Sequence, residues 1–81
     1  MIADRQGQVR VRAGFAGTIE YRVAVGDPVY PGRALVIVES DTEVETFSAR
    51  NPGIVRELNA ADGADVEKGA LLLIVDETPV S

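Results

Sequence analysis

Apolar and polar positions alternate with a period of two along most of the chain, the pattern of strands that bury one face. The clearest runs are VRV at 9–11, TIEYRVAV at 18–25, EVETFSA at 43–49 and GIVREL at 53–58. Two further runs, ALVIVES at 34–40 and ALLLIVD at 70–76, are apolar at successive positions. Both faces of such a strand are apolar, as expected at a sandwich core or near a sheet edge. Gly, Pro, Asp or Asn bounds each run, so the elements are short and separated by turns. The stretch Asn59 to Lys68 holds Gly63 and two Asp, and reads as loop with a short strand at 65–67 rather than as helix.

An internal repeat organises these runs. Gly26-Asp27-Pro28-Val29 through Val38-Glu39 aligns with Gly63-Ala64-Asp65-Val66 through Val75-Asp76 at a constant offset of 37. Upstream, Gly17-Thr18-Ile19-Glu20 matches Gly53-Ile54-Val55-Arg56 once one residue is inserted, which places the insertion in a loop. The leading Gly of each half suits a turn with positive φ. In the shared G-x-x-V-x-x-G segment, Val29 or Val66 plugs the core and the second Gly reverses the chain. Two similar halves predict an all-β, pseudo-two-fold sandwich of two roughly four-stranded antiparallel sheets, with a hairpin at VESDTEVETF (38–47) joining the two sheets. The whole chain, 1–81, reads as a single domain with its core at about 9–77.

Composition narrows the chemistry. The 46% hydrophobic share includes two Phe, two Tyr and no Trp, so the core is built from aliphatic side chains. A net charge of −5 with scattered arginines argues against nucleic acid, which needs clustered cations to displace counterions. Arg5, Arg10 and Arg12 near the amino end could meet an acidic partner, although arginines so spaced are most often solvated. Cysteine and histidine are absent, which removes thiolate and imidazole chemistry and the common zinc and iron ligands. Ser40, Ser48 and Ser81 then lack a base to activate them, so no enzyme activity is expected. No apolar run approaches the roughly 20 residues of a membrane span, and the start lacks a signal-peptide centre. The expected location is cytoplasmic, without membrane insertion.

Taken in order, Gly17-Thr18-Ile19, Val25-Gly26-Asp27-Pro28-Val29, Gly32-Arg33-Ala34-Leu35, Val38-Glu39-Ser40-Asp41, Ala49, Gly53-Ile54-Val55 and Val66-Glu67-Lys68-Gly69-Ala70-Leu71-Leu72 resemble the biotinyl/lipoyl attachment domains. The resemblance runs over nearly the whole chain. It implies a flattened β-barrel, the barrel-sandwich hybrid, whose central hairpin bears a lysine that carries a swinging lipoyl or biotinyl arm. Glu39-Ser40-Asp41 is similar to the lipoyl domains of 2-oxoacid dehydrogenase acyltransferases, and the methionines that flank the lysine of biotin carriers do not occur here. The family's Ala-Pro after the hairpin is also altered, because Ala49 is followed by Arg50-Asn51-Pro52-Gly53.

By this resemblance the attachment position falls on Thr42, and a hydroxyl cannot form the amide that joins lipoate or biotin to an amine. The single lysine, Lys68, aligns with Pro31 in a different turn. No cofactor is therefore expected, although the parent family carries lipoate or biotin. Asp41 and Glu43 flank the position, with Glu39 and Glu45 beyond them, and these are the candidate recognition residues. Four carboxylates would suit a hard cation, but alternate strand residues point to opposite faces and no metal site is expected. Acidic tips also resist edge-to-edge pairing of sheets, a sufficient structural reason for the charge. A phosphorylated Thr42 is a further, weaker alternative.

Three functions fit these residues. One is a domain that keeps the fold, has lost the arm and serves as a protein-binding or assembly module. Another is a genuine carrier subunit of a multienzyme complex with a substituted attachment residue. The third is a structural barrel-sandwich hybrid like those of membrane-fusion adaptors. In each a protein partner is expected.

Overall fold

The period-two runs fold as strands in a computed structural model, which describes residues 7–77. In chain order these are β1 (Gln8–Arg12), β2 (Gly17–Tyr21), β3 (Pro28–Val29), β4 (Ala34–Glu39), β5 (Val44–Ser48), β6 (Gly53–Leu58), β7 (Asp65–Val66) and β8 (Leu71–Glu77). They form two four-stranded antiparallel sheets, ordered β1-β8-β6-β3 and β5-β4-β2-β7. The repeat is now visible as topology, since exchanging β1 with β5, β2 with β6, β3 with β7 and β4 with β8 turns one sheet into the other. Each sheet thus takes two strands from each half, and neither half can complete a sheet alone.

The turn bonds repeat as the strands do. Asp27 N–H donates to the Ala24 carbonyl at 3.1 Å and Ala64 N–H to the Ala61 carbonyl at 3.0 Å; Gly32 N–H donates to Ala49 at 2.9 Å and Gly69 N–H to Ala13 at 2.8 Å. Gly32 and Gly69 adopt φ of 91° and 87°, a region closed to most side chains, and this reverses the chain before β4 and β8.

Several expectations need correcting. Pro28 and Val29, expected only as a plugging turn, form β3 and pair with Ile54 and Gly53 of β6. The plug itself is Val29, which is fully buried, whereas its repeat partner Val66 is only partly so. The run at 18–25 ends as a strand at Tyr21, with one further bond from the Arg22 N–H to the Leu35 carbonyl at 2.9 Å before the Asp27 carboxylate accepts from the Ala24 N–H at 2.9 Å and the chain bends. The inserted residue lies inside β6 rather than in a loop, where the register with β8 shifts between Val55 and Glu57.

The consecutive apolar positions of β4 and β8 have a local cause as well. Register shifts skip Leu35 opposite β5 and Leu72 opposite β1, and a bulged residue turns its side chain out of the alternation. Leu35 and Val36 therefore both face the core, as do Leu72 and Leu73. With Ile19, Val29, Val38 and Val55 they form one aliphatic interior.

Tyr21 fastens the two sheets. Its hydroxyl donates to the Leu72 carbonyl at 2.6 Å and accepts from the Ala60 N–H at 3.2 Å. Burial pushes the phenol above its ordinary range, and repulsion from Asp62 acts in the same direction. The neutral form is thus favoured by folding, so stability falls as pH rises through the unfolded value near 10 toward the raised folded one. Tyr21→Phe leaves the Ala60 N–H without its partner, while the Leu72 carbonyl keeps the bond from the Asn59 N–H at 2.9 Å, and the change is expected to cost about 1 kcal/mol. Urea unfolding at neutral pH and above pH ~10 checks both points, because the alkaline loss due to Tyr21 should vanish in the variant.

Candidate functional site

The acidic run becomes the turn between β4 and β5. Glu39 pairs with Val44, and Ser40 N–H donates to the Glu43 carbonyl at 2.8 Å, which closes the hairpin around Asp41 and Thr42. Ser40 also organises the turn through its side chain. Its Oγ accepts from Glu43 N–H at 3.1 Å and from Thr42 N–H at 3.3 Å, the local capture for which serine is suited in turns. Asp41, Thr42 and Glu43 are all exposed, with Thr42 second of the two residues at the tip. The hairpin lies within one sheet, since β4 and β5 are neighbours. The other connections between strands all cross from one sheet to the other, the next of them at residues 49–52.

The four acidic residues do not converge. Glu45 stands opposite Val38, a core residue, and so lies on the inward side of the sheet, where its carboxylate covers Gly14. Glu39 stands opposite the exposed Val44 on the other side. Glu39 and Asp41 share a shallow depression with Gly17, Thr18 and Ser40. A second depression joins Glu39 to Glu20 and Asp62. Asp65 closes the same region by accepting the Thr18 hydroxyl at 2.9 Å. Among the described residues, no three carboxylates gather as metal ligands.

Asp62 and Asp65 were not singled out from the sequence. Their approach to Glu39 depends on β7 pairing with β2, a contact between residues 47 or more apart for which local periodicity carries no signal. Gly17 holds this end tightly. A Cβ there would meet the Glu39 carbonyl oxygen at 2.5 Å, so β2 can lie against the base of the hairpin only without a side chain at this position. Lys68 is exposed in the β7–β8 turn, where Ala70 N–H donates to the Glu67 carbonyl at 3.0 Å, away from the hairpin's own strands.

Comparison with known proteins matches residues 7–75 to the biotin/lipoyl family, described as "biotin-requiring enzyme". The chain belongs to this family. Its fold is shared by a single-chain, multi-domain long-chain acyl-CoA carboxylase, at 23% identity and a TM-score of 0.78 over 96% of this chain and 8% of that one. It is also shared by a putative succinylglutamate desuccinylase/aspartoacylase from Shewanella frigidimarina NCIMB 400, at 25% identity and a TM-score of 0.71 over 88% of this chain and 20% of that one. The chain thus spans a small part of either protein. Comparison with curated proteins finds no match. Biotin/lipoyl domains are carrier domains, and the two-sheet architecture here is theirs. No helix among the described residues is long and apolar enough to cross a membrane.

Proposed function

We propose that this chain is a biotin/lipoyl domain without an attachment residue, acting as a non-catalytic protein-binding or assembly module. The observation that carries the reading is the tip itself: Thr42 occupies the exposed turn between Asp41 and Glu43, and no lysine lies on the hairpin. The turn retains the order and exposure of a presented site while lacking the amine that an amide-linked arm requires. With no arm to swing, the acidic end of the domain is the part left to be recognised. Asp41 and Glu43 make first contact with a basic pocket, Glu39 extends that surface along one face, and Glu45 serves the hairpin's other side. Charge complementarity of this kind sets specificity and encounter rate more than raw affinity. A cytoplasmic location and a multienzyme partner belong to the same proposal.

The test is the intact mass of the unaltered chain after co-expression with lipoate and biotin ligases. An unchanged mass is expected, and an added lipoyl or biotinyl group would overturn the proposal in favour of a working carrier. A second expectation concerns recognition. Asp41→Lys with Glu43→Lys should weaken a partner complex about tenfold or more by reversing the local charge, with thermal unfolding unchanged because both side chains are exposed. Undiminished binding in a pull-down and titration series would remove the hairpin from the interface.

A further inference from the structure

The two outer strands β1 and β5 face each other without pairing, and between them runs a groove of about 280 Å³. Its floor is apolar, formed by Val9, Val11, Leu35, Phe47 and Val75. The groove reflects a departure from the internal repeat. Phe15 packs against the core at the position that the repeat assigns to Asn51, and Asn51 lines the open groove.

Its walls are free sheet edges. Gly7 and Ala13 both bond to the chain on the β8 side, so ladder alternation turns the backbone N–H and C=O groups of Gln8, Arg10 and Arg12 outward. Glu43 and Ala49 bond to the β4 side in the same way, which turns Val44, Thr46 and Ser48 outward.

Its rim is cationic in a chain of net charge −5. Arg22 and Arg56 are paired with Glu20 at 2.8 Å and Asp76 at 3.1 Å. Arg10, Arg12 and Arg50 have no carboxylate partner among the described residues, and all three line this groove. Arg10 donates to the Gln8 side chain and Arg12 to the Gly69 carbonyl. Glu77, the one acid lining the groove among the described residues, already accepts from Asn51 at 3.1 Å.

We propose that this groove binds an extended acidic segment of a partner protein, added as a strand along β1. Its alternate apolar side chains enter the groove, its main chain bonds the outward groups of Gln8, Arg10 and Arg12, and its carboxylates meet the three guanidinium groups. Strand addition of this kind draws affinity from main-chain bonds and specificity from alternate side chains, and guanidinium groups suit carboxylates through paired donors. The site is separate from the hairpin tip.

The test is titration of the isotope-labelled chain, followed by amide NMR shifts, with a blocked alternating Glu/Leu peptide and with its Lys/Leu counterpart. The Glu/Leu peptide should shift the amides of Gln8–Arg12 and Phe47–Asn51. Arg10→Glu with Arg50→Glu should weaken it about tenfold or more, and added salt should weaken it further because the pairs are at the rim. Both arginines are exposed, and an unchanged unfolding midpoint verifies that the fold is kept. Asp41→Asn with Glu43→Gln should leave the affinity within about twofold if only screened long-range charge changes, which separates this proposal from the one concerning the tip. Absence of shifts at millimolar peptide, equal binding of the Lys/Leu peptide, or shifts confined to another surface would overturn it. Equal shifts from octanoate alone would overturn the peptide assignment, and shifts explained by self-association in sedimentation would assign the groove to a second copy instead.

Discussion

Thr42→Lys is expected to gain one lipoyl or biotinyl group when co-expressed with the corresponding ligase, where the unaltered chain gains none. The change is from no modification to complete modification, the largest effect expected of any single substitution here. The physical reason lies in what the turn already supplies. Ser40 N–H and the Glu43 carbonyl close the hairpin, and the Ser40 hydroxyl orders the Thr42 and Glu43 amides, so neither interaction uses the Thr42 side chain. No residue other than glycine has positive φ among those described, so lysine fits the Thr42 backbone without strain. The introduced amine would stand in water at the end of the hairpin. Intact mass spectrometry decides the matter, and a Thr42→Lys chain that stays unmodified with both ligases would show that the hairpin is not an attachment surface.

Leu72→Ala is expected to destabilise the domain by about 3–5 kcal/mol, the cost of deleting a buried leucine and leaving a cavity. A domain of this length holds only about 4–12 kcal/mol in total, so the variant should be largely unfolded at modest urea. Leu72 is fully buried and lies beneath the Tyr21 hydrogen bond to its own carbonyl. Its repeat partner Leu35 offers an internal control. Leu35 is 3% exposed and lines the open groove, so neighbouring atoms and water can occupy the vacated space. Leu35→Ala should therefore cost about 1–2 kcal/mol less than Leu72→Ala, since cavity cost depends on how well a site relaxes. Equal losses in paired urea titrations would mean that the two bulged leucines are packed alike.

The architecture was legible because period-two alternation and the 37-residue repeat are both written in residue order. GIVREL became β6 without change of boundary, and the repeated glycines became repeated turns. Features that depend on register were hidden. Leu35 and Leu72 look like ordinary members of apolar runs, and only their unmatched position against β5 and β1 shows them to be bulges. β3 is two residues long, too short for periodicity to register, and exists because β6 offers it an edge. The hairpin was read as a link between sheets because the repeat boundary falls there, but the topology shares each half between both sheets. At the site, adjacent acids such as Asp41 and Glu43 could be read directly from the run. The contribution of Asp62 and Asp65 could not, because a long-range pairing brings them there.

The pseudo-two-fold also relates the hairpin to the two limits of the described residues, Gly7 and Glu77. Glu77 N–H donates to the Gly7 carbonyl at 2.6 Å, the counterpart of the bond from Ser40 to Glu43 that closes the turn. Strand β4 runs toward the hairpin and β8 runs away from it, which sets these two closures at opposite poles. The described residues therefore begin and end side by side at one pole, like a graft with a single point of insertion. Such a unit can be spliced into a surface loop of a host without prising the host's own strands apart, and whatever the far pole grips is held clear of the splice.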